Sequence, residues 1–263
     1  MLKYLFIPVT IFSLFLFSCN TESKGHFYET DFSKFFGEFD GAFVLYDYNN
    51  KYYIEHNSKK CSTRYSPCST FKIPNTLIAL QLGVIKPDSN FLKWDGTVRS
   101  IEAWNSDQTL ETAFKNSTVW YYQHLANLIG DENYKHFLFS FDYGNKDISG
   151  GIDNFWLYSS LTISPLEQVK FLEKLYTFNL PVDSVYIEKT KELLLQEENE
   201  YYRFSGKTGS GSKNGFNDIG WFTGSVELGN NIYIFAILLE GKDASGVKAR
   251  EISKLILKSM RII

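Results

Sequence analysis

Strand-forming runs stand at both ends of this chain and helix-forming runs fill its middle, an order that restricts the architecture more than any other feature. Near the start, residues 41–47 and 51–54 are rich in aromatic and branched side chains and are separated by Tyr48-Asn49-Asn50, which predicts a hairpin. Near the end, residues 201–204, 219–228 and 232–239 read as strands, the last two joined tightly through Gly229-Asn230-Asn231. Between them, residues 70–82 and 118–129 place apolar side chains at helical spacing and stop at Gly83 and Gly130. Ser164-Pro165-Leu166-Glu167 predicts a further helix start, with Ser as the cap, Pro in the first turn and Glu three positions after the cap. Residues 248–260 close the chain as a helix. The expected fold class is α+β: an antiparallel sheet built from both termini, flanked by helices, with a helical region inserted between its halves. Residues 20–263 show no internal repeat and no low-complexity linker, so a single domain is expected.

A chain of 263 residues that is 44% hydrophobic and 17% aromatic, with only 6 Pro, is long and apolar enough to bury a core, which excludes disorder as its organising state. The 27 basic and 30 acidic side chains nearly cancel, so no chain-wide positive field invites nucleic acid or an anionic membrane. Residues 1–19 differ from the rest. Lys3 precedes an apolar run over residues 4–17, shorter than the roughly 18–20 needed to span a bilayer, which predicts an export signal and a periplasmic location. The run ends at Leu16-Phe17-Ser18-Cys19, similar to the bacterial lipobox, so Cys19 is a candidate for lipidation and a lipid anchor, with ordinary cleavage near Ser18 as the alternative.

Setting Cys19 aside leaves Cys61 and Cys68, which read equally as a short-loop disulfide or as two free thiols. His26, His56, His124 and His136 show no metal spacing and no C-x-x-C exists, so no metal site is expected.

Nucleophilic catalysis by Ser requires a base, and with no G-x-S-x-G elbow to suggest a His partner, Lys is the remaining common choice. S-x-x-K puts an amine beside a hydroxyl on one helix face. The pattern occurs three times, at Ser69/Lys72, Ser210/Lys213 and Ser245/Lys248, and only the first opens an apolar helix, where N–H groups favour developing negative charge. Taken alone, the spacing reads more readily as a helix-cap Ser69 with a solvated Lys72 one turn on, although Phe71 and Ile73 beside Lys72 argue against a solvated lysine. Ser117-Thr118-Val119 opens a later helix, Tyr143-Gly144-Asn145 begins a Gly-rich loop that reaches Trp156, and Lys207-Thr208-Gly209 precedes the final strands. Each has an ordinary reading as cap, turn or strand edge.

In this order, however, Pro67-Cys68-Ser69-Thr70-Phe71-Lys72, Ser117-Thr118-Val119, Tyr143-Gly144-Asn145, Gly150-Gly151-Ile152-Asp153-Asn154-Phe155-Trp156-Leu157 and Lys207-Thr208-Gly209 resemble the class D, oxacillinase-type serine β-lactamases. Trp94-Asp95-Gly96, the stretch from Ser164 to Gln168, Ile219-Gly220-Trp221 and Arg250 extend the likeness over essentially everything after Gly41. Ser117 followed by Thr118-Val119 differs from the S-D-N of class A.

The resemblance implies a penicillin-binding/serine β-lactamase fold and β-lactams as the partner. It implies Ser69 as the acylated nucleophile and the backbone N–H groups of Ser69 and Ser210 as the oxyanion hole. Lys72 would be the general base, carbamylated by CO2 to N6-carboxylysine, with no other cofactor, and the Trp156 indole N–H would support the carbamate. Val119 and Leu157 would wall the pocket, and Ser117 would pass a proton to the ring nitrogen. Lys207, Thr208, Gly209 and Arg250 would line the binding edge, with Lys207, Thr208 and Arg250 on the substrate carboxylate. Two positions depart from the family pattern: Ser225 stands where a second Trp is frequent and Trp120 where Pro is frequent, which bears on packing and substrate range. Trp104 reads as a pocket-mouth residue or as an ordinary half-buried Trp. A receptor that stays acylated and a transpeptidase are the competing functions. Related receptors carry this domain behind membrane helices and a protease domain too large for 263 residues, so hydrolysis is the expected activity.

Overall fold

The computed structural model describes residues 25–87, 91–212 and 217–263, so the export signal with Cys19, and Lys213, lie outside the described residues. A seven-stranded sheet has the order β1-β3-β2-β7-β6-β5-β4. Its strands are β1 His26–Glu29, β2 Asp40–Asp47, β3 Tyr52–His56, β4 Leu195–Glu198, β5 Tyr202–Ser212, β6 Asn217–Leu228 and β7 Asn231–Glu240. The termini meet as expected, because β2 and β7 pair antiparallel from Asp40 opposite Glu240 to Asp47 opposite Tyr233. One pair departs from the antiparallel expectation: β1 runs parallel to β3. All four of its residues are exposed, so no apolar alternation marks β1 in the sequence.

The helices are α1 Ser33–Phe36, α2 Ser58–Cys61, α3 Lys72–Gln81, α4 Leu110–Lys115, α5 Val119–Ile129, α6 Asp131–Phe141, α7 Pro165–Tyr176, α8 Ser184–Leu194 and α9 Gly246–Ser259. The period of two along a strand sorts the core onto the two faces of the sheet. On β2, Ala42, Val44 and Tyr46 join the large core made with the inserted helices. Phe43 and Leu45 join Phe235, Ile237 and Leu239 of β7 and Ile252, Ile256 and Leu257 of α9 on the other face. The sheet is therefore covered on both faces, and the helical region sits on one of them. α7 starts as its sequence predicts: Ser164 Oγ accepts from Glu167 N at 3.2 Å while Ser164 N donates to Glu167 Oε2 at 2.9 Å.

Two boundaries move, and both moves build the site. Lys207-Thr208-Gly209 does not precede the final strands but lies inside β5, which continues to Ser212 in register with β6. Small residues conceal this strand because space is lacking for larger ones: a Cβ on Gly206 would come within 2.4 Å of the Phe222 ring. The helix predicted from residue 70 begins instead at Lys72, after a tighter 3-10 turn over Cys68–Phe71. There the Thr70 N–H and hydroxyl both donate to the Pro67 carbonyl, at 3.1 and 2.7 Å, which tightens the chain before α3.

Candidate active site

The 3-10 turn leaves Ser69 half-buried, while one turn on Lys72 is fully buried at 0% exposure, with its Nζ 3.0 Å from Ser69 Oγ. The other two S-x-x-K serines do other work. Ser245 caps α9 by accepting from Lys248 N at 3.3 Å, and Ser210 Oγ accepts from Gly246 N at 2.9 Å. Backbone strain gathers at the site, since Cys68 (φ 49°) and Ser117 (φ 57°) both occupy the left-handed region. Each costs on the order of 1–3 kcal/mol for a residue with a side chain, a cost the surrounding fold must offset.

β5 delivers the second amine. Phe204, Gly206 and Thr208 alternate toward α9, so Lys207 and Gly209 face the helical layer. Lys207 is buried there and its Nζ donates to Ser117 Oγ at 2.7 Å. Burial alone brings the Lys207 pKa down to about 7. Burial pushes Lys72 well below the ordinary lysine range, and the positive charge of Lys207 lowers it further. Among the described residues neither amine has an ion-pair partner; Lys72 Nζ lies 5.2 Å from the Tyr122 ring centre. Two dry amines without a carboxylate make a site that favours anions.

Trp156 is buried and stacks on Phe71, the residue before Lys72, at 5.5 Å and 24°. Its Nε1 has no hydrogen-bond partner among the described residues, an omission that costs about 1–3 kcal/mol for a buried donor. A carbamate on Lys72 fits this arrangement, because it would place an anionic acceptor among a buried amine and an unpaired donor. Leu157 and Val119 are half-buried. Gly144 (φ 53°) admits no side chain, since a Cβ would lie 2.1 Å from the Thr162 carbonyl oxygen. Asn145 then joins that loop to residues 160–162 through the Ser160 carbonyl at 2.8 Å and the Thr162 N–H at 2.9 Å.

The binding edge has two sides. β4 pairs with β5 only over Arg203–Ser205, so among the described residues the outer edge of β5 beyond Gly206 has no strand partner beside the nucleophile turn. Ser210 is exposed on this edge. Thr208 faces α9, where a Cβ on Gly246 would come within 2.7 Å of it. Arg250, half-buried, stands within α9, one turn beyond Gly246 on the same face. The expected carboxylate ligands thus divide between the two faces of one strand edge. Trp104 and Trp120 frame the approach to Ser117: Trp104 Nε1 donates to the Asn116 carbonyl and Trp120 Nε1 to the Trp104 carbonyl, both at 2.9 Å. Ser225 is buried under the sheet near Tyr176 of α7.

Cys61 and Cys68 are unbridged, and burial raises both thiols above the ordinary range, Cys68 to about 12. Cys61 Sγ donates to the Phe43 and His56 carbonyls at 3.4 and 3.3 Å, whereas Cys68 Sγ contacts the Ser66 carbonyl at 3.6 Å.

Two supporting residues, Ser66 and Tyr158, escape the sequence reading. Ser66 Oγ donates to the Trp156 carbonyl at 3.0 Å and accepts from Tyr158 N at 2.8 Å, while the Ser66 carbonyl accepts from Trp221 Nε1 at 2.9 Å. Tyr158 donates to Asp218 Oδ1 at 2.5 Å. Nothing local marks these two. Gln168 does carry a signal, a polar residue on the apolar stripe of α7, and its Nε2 donates to Thr70 Oγ1 at 2.7 Å.

Residues 41–258 match the family of the penicillin-binding protein transpeptidase domain. A Bacillus subtilis (strain 168) protein named "Probable beta-lactamase YbxI" is 40% identical over 265 residues, covering 99% of this chain and 97% of the relative. A class D β-lactamase structure from Bacillus subtilis superposes with TM-score 0.84 at 41% identity, covering 89% of this chain and 97% of that one. The C-terminal domain of the Bacillus licheniformis BlaR penicillin receptor superposes with TM-score 0.88 at 39% identity, covering 91% and 98%.

Proposed function

The chain belongs to the penicillin-binding transpeptidase family and, within it, to the class D β-lactamases, and from that membership we propose that it hydrolyses penicillins through an acyl-enzyme on Ser69. The observation that carries this reading is the contact of a reachable Ser69 hydroxyl with a fully buried Lys72 amine at 3.0 Å. In the proposed reaction Ser69 Oγ attacks the β-lactam carbonyl carbon, the ring C–N bond breaks, and Ser117, backed by the Lys207 ammonium, delivers a proton to the ring nitrogen. Water then attacks the acyl carbonyl and releases Ser69, so the products are penicilloate and unchanged protein. Lys72 is the general base in its carbamylated form, in which CO2 supplies the anionic oxygen that a bare ammonium lacks. Trp156 donates its N–H to that anion and its ring keeps water out. The Ser69 and Ser210 N–H groups hold the oxyanion, and Val119 and Leu157 form the apolar wall. Steady-state hydrolysis of a penicillin by the purified protein, with intact-mass detection of the adduct, tests the proposal.

The likeness to the receptor domain supports a second reading, in which the same Ser69 is acylated and stays acylated. Product formed per protein molecule separates the two: many turnovers support hydrolysis, and a single stoichiometric burst supports the receptor.

Lys207 imposes a pH dependence. Its pKa of about 7 makes it a cation below that pH and neutral above it, so carboxylate binding weakens as pH rises. Because kcat/KM reports the free protein, it should fall with an apparent pKa near 7 on its basic side, and Lys207→Arg should move that limb upward. A basic limb unchanged in Lys207→Arg would remove Lys207 from the carboxylate.

Arg250 is proposed as the two-pronged partner of the same carboxylate. Arg250→Ala should raise KM for penicillin roughly 10- to 100-fold, the range expected for losing charge-assisted hydrogen bonds. A methyl-ester analogue, which lacks the anion, should be nearly unaffected, and equal effects on both would place Arg250 elsewhere.

A further inference from the structure

Gln168 stands where a helix should be apolar. It shares the inward stripe of α7 with Leu172 and Leu175 and is completely buried, a position that penalises an amide unless specific partners use it. Its Nε2 donates to Thr70 Oγ1 at 2.7 Å, and Thr70 Oγ1 donates onward to the Pro67 carbonyl at 2.7 Å. The Thr70 N–H reaches the same carbonyl at 3.1 Å, and the Tyr143 hydroxyl lies beside the Thr70 and Gln168 pair. A chain of hydrogen bonds therefore runs from the middle helix layer to the turn that carries Ser69.

That turn rests against β5 through the same atoms. A Cβ placed on Gly209 would find as its nearest neighbours Pro67 O at 3.1 Å, Thr70 Cγ2 at 3.2 Å and Thr70 N at 3.3 Å. All three belong to the two residues that the Gln168 chain holds. Ser69 adjoins Thr70 and Ser210 adjoins Gly209, so this contact sets the separation between the two backbone N–H groups assigned to the oxyanion. We infer that Gln168 is a positioning residue for acylation: by fixing the Thr70 hydroxyl it holds the nucleophile turn at the spacing from β5 that the oxyanion hole requires. The inference deepens the acyl-serine reading and rests on it.

Two variants separate the hydrogen bond from the packing. Gln168→Met keeps the side-chain length and removes the donor, and Thr70→Val keeps the methyl contact with Gly209 and removes the hydroxyl. Each should lower kcat/KM for a penicillin roughly 10- to 100-fold, because small displacements of preorganised donors have effects of that size. An arylboronic acid, whose tetrahedral adduct on Ser69 sets an oxygen in the oxyanion position, should lose affinity by a similar factor. Penicilloate, a ground-state ligand held by its carboxylate, should bind within about twofold of wild type. The double variant should be no worse than either single, because both remove one contact. Unchanged rates and boronate affinity with a lowered Tm, equal losses for boronate and penicilloate, or additive effects in the double variant would overturn the inference. Peptide mapping of the wild-type penicilloyl adduct in the same preparations separates two failures. No adduct on Ser69 removes the acyl-serine reading and this inference with it, whereas a normal adduct with unaffected variants removes only the role of Gln168.

Discussion

Ser69→Ala lowers penicillin turnover by a factor on the order of 10⁴ or more, the expected consequence of deleting a nucleophile whose neighbours act with it as one unit. The size of the effect follows from the site. Ser210 and Ser245, the two other S-x-x-K serines, are engaged with the N-terminal end of α9 rather than with a lysine amine, so neither replaces the Ser69 hydroxyl. Ser69 is only half-buried and its side chain contacts the Lys72 amine, so removing one oxygen leaves the packed core intact. The variant should stay folded while losing turnover, at a stability cost on the order of 1–3 kcal/mol for taking a hydrogen-bond partner from the buried Lys72 amine. Hydrolysis rates and the mass of the trapped adduct provide the check. Full activity in the variant, or a penicilloyl group on any residue other than Ser69, would refute the assignment.

The second large effect belongs to Lys72. Lys72→Ala should reduce turnover by about 10³ or more, since it removes both the base and the group on which the carbamate forms. The direction of its pKa defines a pH window. Burial, reinforced by the Lys207 charge, moves the amine well below the ordinary lysine value, so the neutral form needed to combine with CO2 is more populated than in a solvated lysine at the same pH. Acid protonates that nitrogen and removes the carbamate, so activity should fall on the acidic side and recover on adding bicarbonate after neutralisation. With labelled bicarbonate, 13C NMR should show a carbamate signal in wild type and none in Lys72→Ala. Trp156→Phe keeps an aromatic ring against Phe71 but removes the unpaired N–H, so its signal should be weaker and its demand for bicarbonate greater. An unmodified Lys72 in a fully active protein indifferent to bicarbonate would exclude this chemistry.

Caps, turns and periodicities were legible because they depend on residues within one or two turns of each other. The capping box at Ser164 and Glu167, the stops at Gly83 and Gly130, and the Ser69/Lys72 spacing are interactions of that range, and the structure contains each of them. The meeting of the two termini in one sheet was also readable, because unsatisfied strands at both ends have each other as partners. Thr208 and Arg250 could be named but not placed, since the face each presents depends on the register of β5 and on where α9 docks. The parallel β1 and the strand through Lys207-Thr208-Gly209 had no local signature, because exposed residues and glycines carry no alternation. What only the tertiary structure decided is the chemistry of the amines. Lys207 comes to Ser117 across 90 positions of sequence, and Lys72 is enclosed at 0% exposure by elements drawn from the whole chain. Sequence determines that these are lysines and what they can become; desolvation by the assembled fold lowers their proton affinity, and desolvation exists only once distant segments have excluded water together.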